Sequence, residues 1–288
     1  MKITLFLLGE KGLISLQSLN KNATDTIEKV VIGTDKNVRN DYSIAIQHWC
    51  EKMNILYTFD DTKAISSYLI TIGWRKMIVI DAHQKLIVLH DSLLPKYRGF
   101  NPLVTALING DKTIGVTALF GTKEYDKGDI IAQESLSISY PISIQEAITK
   151  IATCYATLLN IVFMKIKDDT LSAVPQDQEK ATYSLWRDHE DYFIDWNASA
   201  KKIIRFIDAV GYPYDGAKFR INDQVYKVLK AHETTDVKIE NRTPGKVIFK
   251  ENEKIYVVCK KGIVCLTQVV NDQNELQKFE SKFRLRLH

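Results

Sequence analysis

Residues 86–99 read LIVLHDSLLPKYRG. An apolar run ends in His90 and is followed by two leucines, a proline and the polar Lys96-Tyr97-Arg98-Gly99. The run has the length and composition of a buried strand. A strand ending in an imidazole puts a group that titrates near neutrality at its carboxyl edge. Upstream, KITLFLLG, EKVVIGT and ILYTF read as strands, while ISLQSLN and SIAIQHWCEKMN have helical spacing. DDTKAISSYLITIG reads as a helix running to a glycine, and RKMIVID as the strand before the one that ends at His90. Strands alternating with helices predict βαβ units and a mostly parallel sheet, with ligands beyond the strands' carboxyl ends.

Downstream, FNPLVTALINGD reads as a helix closed by Asn109-Gly110, GVTALFGT as a strand, and SIQEAITKIATCYATLLNIVFMKIK as a long amphipathic helix. The polar stretch near 172–190 breaks the pattern and reads as a linker. A helix capped by Asn or Ser follows in FIDWNASAKKIIRFIDAV, and then AKFRI, QVYKVLKAH, GKVIFK, KIYVVCK and GIVCLTQV, short runs separated by turns. The expected architecture is α/β: a Rossmann-like, mostly parallel sheet domain over 1–180, then a helix and a small antiparallel, OB-like β-barrel over 190–288.

Composition narrows the class. The 45% hydrophobic and 26% charged fractions over 288 residues are those of a globular chain with ample core. No apolar run reads as a membrane span of about 20 residues. The opening MKITLFLLGEKG reads as a first strand rather than a signal peptide, because its apolar run is short and has no small-residue cleavage site. The four cysteines form no CxxC pair and sit at no metal-ligand spacing, so free buried thiols and no metal are expected in a cytoplasmic protein. A net charge of +4 without a Lys/Arg run suits an anionic small substrate and offers no clustered phosphate-binding surface for nucleic acid.

The string from His90 to Gln133 carries the chemistry. Its Ser92-Leu93-Leu94-Pro95, Tyr97-Arg98-Gly99, Asn109-Gly110-Asp111, Gly115-Val116-Thr117 and Asp126-Lys127-Gly128-Asp129-Ile130 resemble, in one order, the folate-dependent formyltransferase family. IDWNASAKKIIRFIDAVGYPYDGAKF and PGKVIFKENEKIYVVCKKGIVCL are similar to the C-terminal domain of its tRNA- and sugar-acting members. The resemblance implies transfer of the formyl group of 10-formyltetrahydrofolate to an amine. It implies catalytic roles for His90, as general base or as electrostatic partner of the oxyanion, and for Asp126, which holds the imidazole and helps relay the proton. Leu93, Leu94 and Pro95 would wall the pterin, Gly128 would let the Asp126 loop turn, and Trp74 and Lys76 lie where the family's folate site is bordered. Trp74 reads equally as core packing. Ser92, Lys96, Tyr97, Arg98 and Asn101 are the substrate contacts expected from position and charge.

Two positions depart from the family. Its Asn, which donates to the formyl oxygen, falls on Val88, and its usual Pro after the histidine falls on Asp91. Three readings follow: another donor (Asn101, a backbone amide or a water) takes over, His90 and Asp126 act alone, or the protein binds folate or a sugar nucleotide without transfer. The tRNA-acting members carry a basic insertion in the first domain. The corresponding IGTDKNVRNDYSIAIQHW is short and balanced in charge. A nucleotide-linked amino sugar of surface-polysaccharide synthesis is therefore the expected acceptor, with methionyl-tRNA as the alternative. The sugar-acting members also give the basis for expecting a homodimer.

Overall fold

The computed structural model describes residues 2–60, 64–279 and 284–288. The chain forms two compact units. One comprises Met1–Leu103, Lys112–Ile138 and Glu146–Trp186, and the other Val104–Asp111, Ser139–Gln145 and Arg187–His288.

The first unit opens with β1 (Ile3–Leu7), α1 (Gly9–Ser18), the single-turn α2 (Lys21–Thr24), β2 (Ile27–Ile32), α3 (Ser43–Met53), β3 (Tyr57–Thr58), β4 (Tyr68–Ile72) and β5 (Lys85–His90). After β6 (Arg98–Gly99) and α4 (Pro102–Asn109) come β7 (Thr113–Phe120), β8 (Ile130–Ser137), α5 (Ile144–Lys167) and β9 (Tyr183–Ser184). Seven strands form one sheet in the order β3-β2-β1-β4-β5-β7-β8, while β6 and β9 pair separately. β1 through β5 are parallel, and β7 and β8 add an antiparallel edge. All five residues of β1 are buried, as a strand covered on both faces requires. The strand order switches direction between β1 and β4, the place where such sheets leave a crevice at their carboxyl ends.

Several sequence readings are corrected here. The segment around 64–72, read as a helix, holds β4, because Tyr68–Ile72 pairs in parallel with both β1 and β5; residues 61–63 of that reading lie outside the described residues. Met77–Ile80, read as a strand, has no strand pairing. β8 was not anticipated, although ESLSIS alternates in burial as a half-exposed edge strand does. By length and composition α5 could cross a membrane, contrary to the sequence reading, but 56% of its most apolar window is buried in the fold, as in a core helix.

The second unit contains α4 from Val104 on, α6 (Ala200–Ala209) and five antiparallel strands, β10 (Ala217–Ile221), β11 (Gln224–Thr234), β12 (Val247–Glu251), β13 (Lys254–Val258) and β14 (Ile263–Asn271). Ser199 caps α6 by accepting from the Lys202 amide. The strands order as β10-β11-β14-β13-β12. The C-terminal residues close this sheet into a barrel. His288 and Arg220 of β10 exchange backbone bonds of 2.9 and 2.7 Å, Leu287 N–H donates to Gly245 at 2.8 Å, and Val247 N–H of β12 donates to Leu285 at 3.1 Å. Leu285 and Leu287 are buried, so the tail is a barrel element.

Candidate functional site

His90 is the last residue of β5 and is buried. The period of 2 puts Val88 on its face of the sheet. That row includes Phe6, Thr71, Val88 and Leu119, and Thr71 is the polar side chain next to Val88. Both ring nitrogens of His90 face acceptors. Nε2 lies 2.9 Å from the Tyr97 carbonyl oxygen, and Nδ1 lies 3.4 Å from Asp126 Oδ1. A carbonyl only accepts, so Nε2 carries the proton in that contact, and Nδ1 is the nitrogen turned to the carboxylate.

Asp126 reaches His90 by an indirect route. The β7–β8 connection leaves the sheet beside Phe120, which pairs with Ile87, three residues before His90. Three residues of strand are roughly 10 Å, so the loop must fold back over the sheet to bring its carboxylate to the histidine. Gly128 makes the fold-back possible, since a Cβ there would sit 1.7 Å from the Phe120 carbonyl oxygen. The second carboxylate oxygen of Asp126 accepts the Gly99 amide at 2.8 Å. Both holders of His90 have left-handed backbones, Tyr97 at φ +61° and Asp126 at φ +56°. Such a conformation is strained for a tyrosine and persists only when the surroundings fix it.

The fixing comes from the stretch read as a linker. Gln176, 7% exposed, donates through Nε2 to the carbonyls of Asp126 and Gly128, both at 2.7 Å. Its Oε1 accepts from Arg98 Nε at 3.0 Å and Nη2 at 2.7 Å, and Gln178 Oε1 takes Arg98 Nη1 at 2.9 Å. Thr182 Oγ1 accepts the Tyr97 amide at 2.9 Å. Residues 172–190 are thus not a free linker. Sequence reasoning missed Gln176 because nothing local in VPQDQ distinguishes a buried glutamine from a solvated one.

The remaining predicted residues divide. Arg98, at 1% exposure with its guanidinium committed to the two glutamines, is no substrate contact. The Ser92 hydroxyl is buried and donates to the Lys96 carbonyl at 2.7 Å. Leu94 and Tyr97 are buried as well, so none of these three presents an open surface. Leu93, Pro95 and Asn101 are half-buried and Lys96 is exposed beside the Tyr97 ring. Thr117 and Gln133 clamp this turn: Thr117 donates to the Ser92 carbonyl and accepts the Leu94 amide, and Gln133 donates to the Leu94 carbonyl. Trp74 follows β4, packs edge-on against Phe6 at 5.1 Å, and buries an Nε1 that makes no hydrogen bond among the described residues. Lys76 is exposed near that ring.

Asp91 forms a second, unanticipated cluster, on the opposite face from His90. It is paired with Lys11 of α1 and accepts from the Tyr155 hydroxyl of α5. Burial pushes the Asp91 carboxyl up, but the Lys11 ammonium and the Tyr155 hydroxyl outweigh it and hold the group below the usual carboxylate range. Burial and the Asp91 charge together push the Tyr155 hydroxyl well above its ordinary value.

Residues 63–159 match the family model described as formyl transferase, and 187–284 match that of the formyl transferase C-terminal domain. The chain is 31% identical over 191 residues to the methionyl-tRNA formyltransferase of Acetivibrio thermocellus, a match covering 66% of this chain and 61% of that protein. The chain therefore spans about three fifths of that curated relative. Its fold is similar to WlaRD, a sugar 3N-formyl transferase whose crystal contained dTDP and 5-N-formyl-THF, with TM-score 0.67, 18% identity and coverage of 98% and 99% of the two chains. It is also similar to the N-formyltransferase of Helicobacter canadensis in complex with folinic acid and dTDP-3-aminofucose, with TM-score 0.68, 18% identity and coverage of 93% and 99%.

Proposed function

Because the chain belongs to the formyl transferase family, we propose that it transfers the formyl group of 10-formyltetrahydrofolate to the amine of a nucleotide-linked amino sugar. The donor supplies a formamide-like carbon activated by its N10. The acceptor nitrogen bonds to that carbon, the bond to N10 breaks, and the proton lost by the amine ends on N10. The chain's own task is to handle that proton and the negative charge that develops on the formyl oxygen. With acceptors at both nitrogens, His90 is placed as the electrostatic partner of the oxyanion and the Asp126 carboxylate as the base. The amine's proton goes to the Asp126 carboxylate, the base of the pair, and from there to N10. The 3.4 Å spacing is long for a hydrogen bond, as in many unliganded sites, and shortens when substrate excludes water. The residues present suit a folate: Leu93 and Pro95, shortly after His90 in the chain, are half-buried apolar side chains, and the Trp74 Nε1 is a buried donor with no hydrogen-bond partner among the described residues.

The observation that carries the reading is the His90–Asp126 pair, set inside the family's motif string. A sugar acceptor is favoured by residues 32–49, IGTDKNVRNDYSIAIQHW, which are short and balanced in charge where the tRNA-acting members carry a basic insertion. The 31% identity to the latter favours charged initiator tRNA as the second reading.

The test is mass spectrometry of the protein incubated with 10-formyltetrahydrofolate and a panel of nucleotide-linked 3-amino and 4-amino sugars, with charged initiator tRNA alongside. One formyl mass gained by one sugar supports the proposal, and gain by the tRNA alone overturns the acceptor. Val88→Asn runs in parallel. If the fold already supplies a donor, from Thr71, Asn101 or the backbone, the substitution leaves the rate equal or lower. If nothing does, it raises the rate by the roughly 10²-fold that one oxyanion donor contributes.

A further inference from the structure

The two groups that hold His90 come from different loops, each with a left-handed residue at the contact, and one short segment is bonded to both. Along residues 95–100, the Thr182 carbonyl takes the Arg98 amide at 2.8 Å, the Ser184 carbonyl takes the Phe100 amide at 2.9 Å, and Thr182 N–H donates to the Pro95 carbonyl at 3.2 Å. Along the Asp126 loop, Val174 and Ile130 exchange backbone bonds at 2.8 Å, and the Gln176 amide spans the Asp126 and Gly128 carbonyls. Arg98 belongs to the first loop and bonds Gln176, so the guanidinium and the glutamine join the two loops through one side-chain contact.

We infer that Gln176 is a positioning residue for the proposed transfer, acting through the Arg98 guanidinium on one side and the Asp126 backbone on the other to set the carboxylate against His90. The Asp126 loop folds back roughly 10 Å over the sheet, and its Asp is left-handed at the point of contact. A loop of that kind, without a sheet ladder to fix it, needs a tether at the residue that does the work. Gln176 is the side chain whose donors reach that backbone. A displacement of about 1 Å in a catalytic group costs up to about 10²-fold in rate. This inference rests on the formyl-transfer reading for its kinetic consequence, but not for its geometry.

Gln176→Glu separates positioning from folding. A glutamate keeps, and strengthens, the acceptor side towards Arg98, while it removes both donors and points an anionic oxygen at the Asp126 and Gly128 carbonyls. The expected result is a lowered melting temperature that still lies above the assay temperature, and kcat lowered about 10- to 100-fold with the KM for the folate donor unchanged. A second measurement needs no substrate: in spectra of ¹⁵N-histidine-labelled protein, the His90 ring resonances shift in Gln176→Glu while those of the other five histidines stay in place. If the intact protein formylates no acceptor, the functional reading fails and the ring spectrum alone decides the positioning role. Unchanged His90 resonances, or unchanged kcat in an active enzyme, would overturn the inference. If Gln176→Glu is unfolded at the assay temperature, Gln176→Ala with the same spectrum replaces it, and an unmoved His90 there overturns the inference equally.

Discussion

His90 has acceptors on both ring nitrogens, and the residue after it shows the opposite electrostatics. Asp91 faces a cation and a hydroxyl donor, Lys11 and Tyr155, with about 15% exposure on each charged side chain. Its folded value is lowered, so the carboxylate contributes stability that is fully present above the ordinary Asp range and lost as the pH falls through the folded value. Asp91→Asn should cost about 3 kcal/mol near neutral pH, because it leaves Lys11 buried without its counter-charge. Urea unfolding at pH 3 to 7 checks the sign: the gap between parent and Asp91→Asn narrows as the solution is acidified and is widest near neutrality. The sequence singled out Asp91 only as a departure from the family's proline. Its partners lie 80 positions before it and 64 after it in the chain, beyond what local spacing can show.

Two segments change meaning between sequence and fold. Residues 174–184 have linker composition, yet they carry the buried Gln176 and the strand β9 and hold two loops of the site. Their polarity follows from what they bond to, backbone carbonyls and a guanidinium, and not from exposure to water. The segment 284–288 has two arginines and alternates, with Leu285 and Leu287 inward and Arg284 and His288 outward, as a barrel strand does. Removing residues 284–288 leaves β10 and β12 with unpaired edges and uncovers two buried leucines. Each leucine contributes about 2 kcal/mol of burial. The truncated protein should therefore unfold at clearly lower denaturant, with faster amide exchange at Arg220 and Val247 than in the intact chain; equal exchange at both amides would show that the tail does not close the barrel.

The chain as a whole folds as two units whose sequences interleave. Val104–Asp111 and Ser139–Gln145 belong with the C-terminal residues, and the Arg205 guanidinium of α6 donates to the Ile108 carbonyl of α4 at 2.9 Å. A fragment spanning 187–288 therefore lacks part of its own unit. It should be less stable than that unit is within the full chain, measured by amide exchange of α6 in both. Equal protection would mean that the two short segments are dispensable. The four cysteines, free and buried as their spacing suggested, mark both cores, with burial pushing Cys50 and Cys259 up to about 12. The α/β class, the strand ending at His90, the barrel strands and the motif string from His90 to Ile130 were determined by the sequence, because period, turn chemistry and residue spacing are local. The fold-back of Asp126 onto His90, the burial of Arg98, the tether at Gln176, the pairing of Asp91 with Lys11 and the closure of the barrel were decided only once the chain was folded. Each depends on groups distant in sequence meeting at hydrogen-bonding range, and no local pattern encodes which partner a buried polar side chain will find.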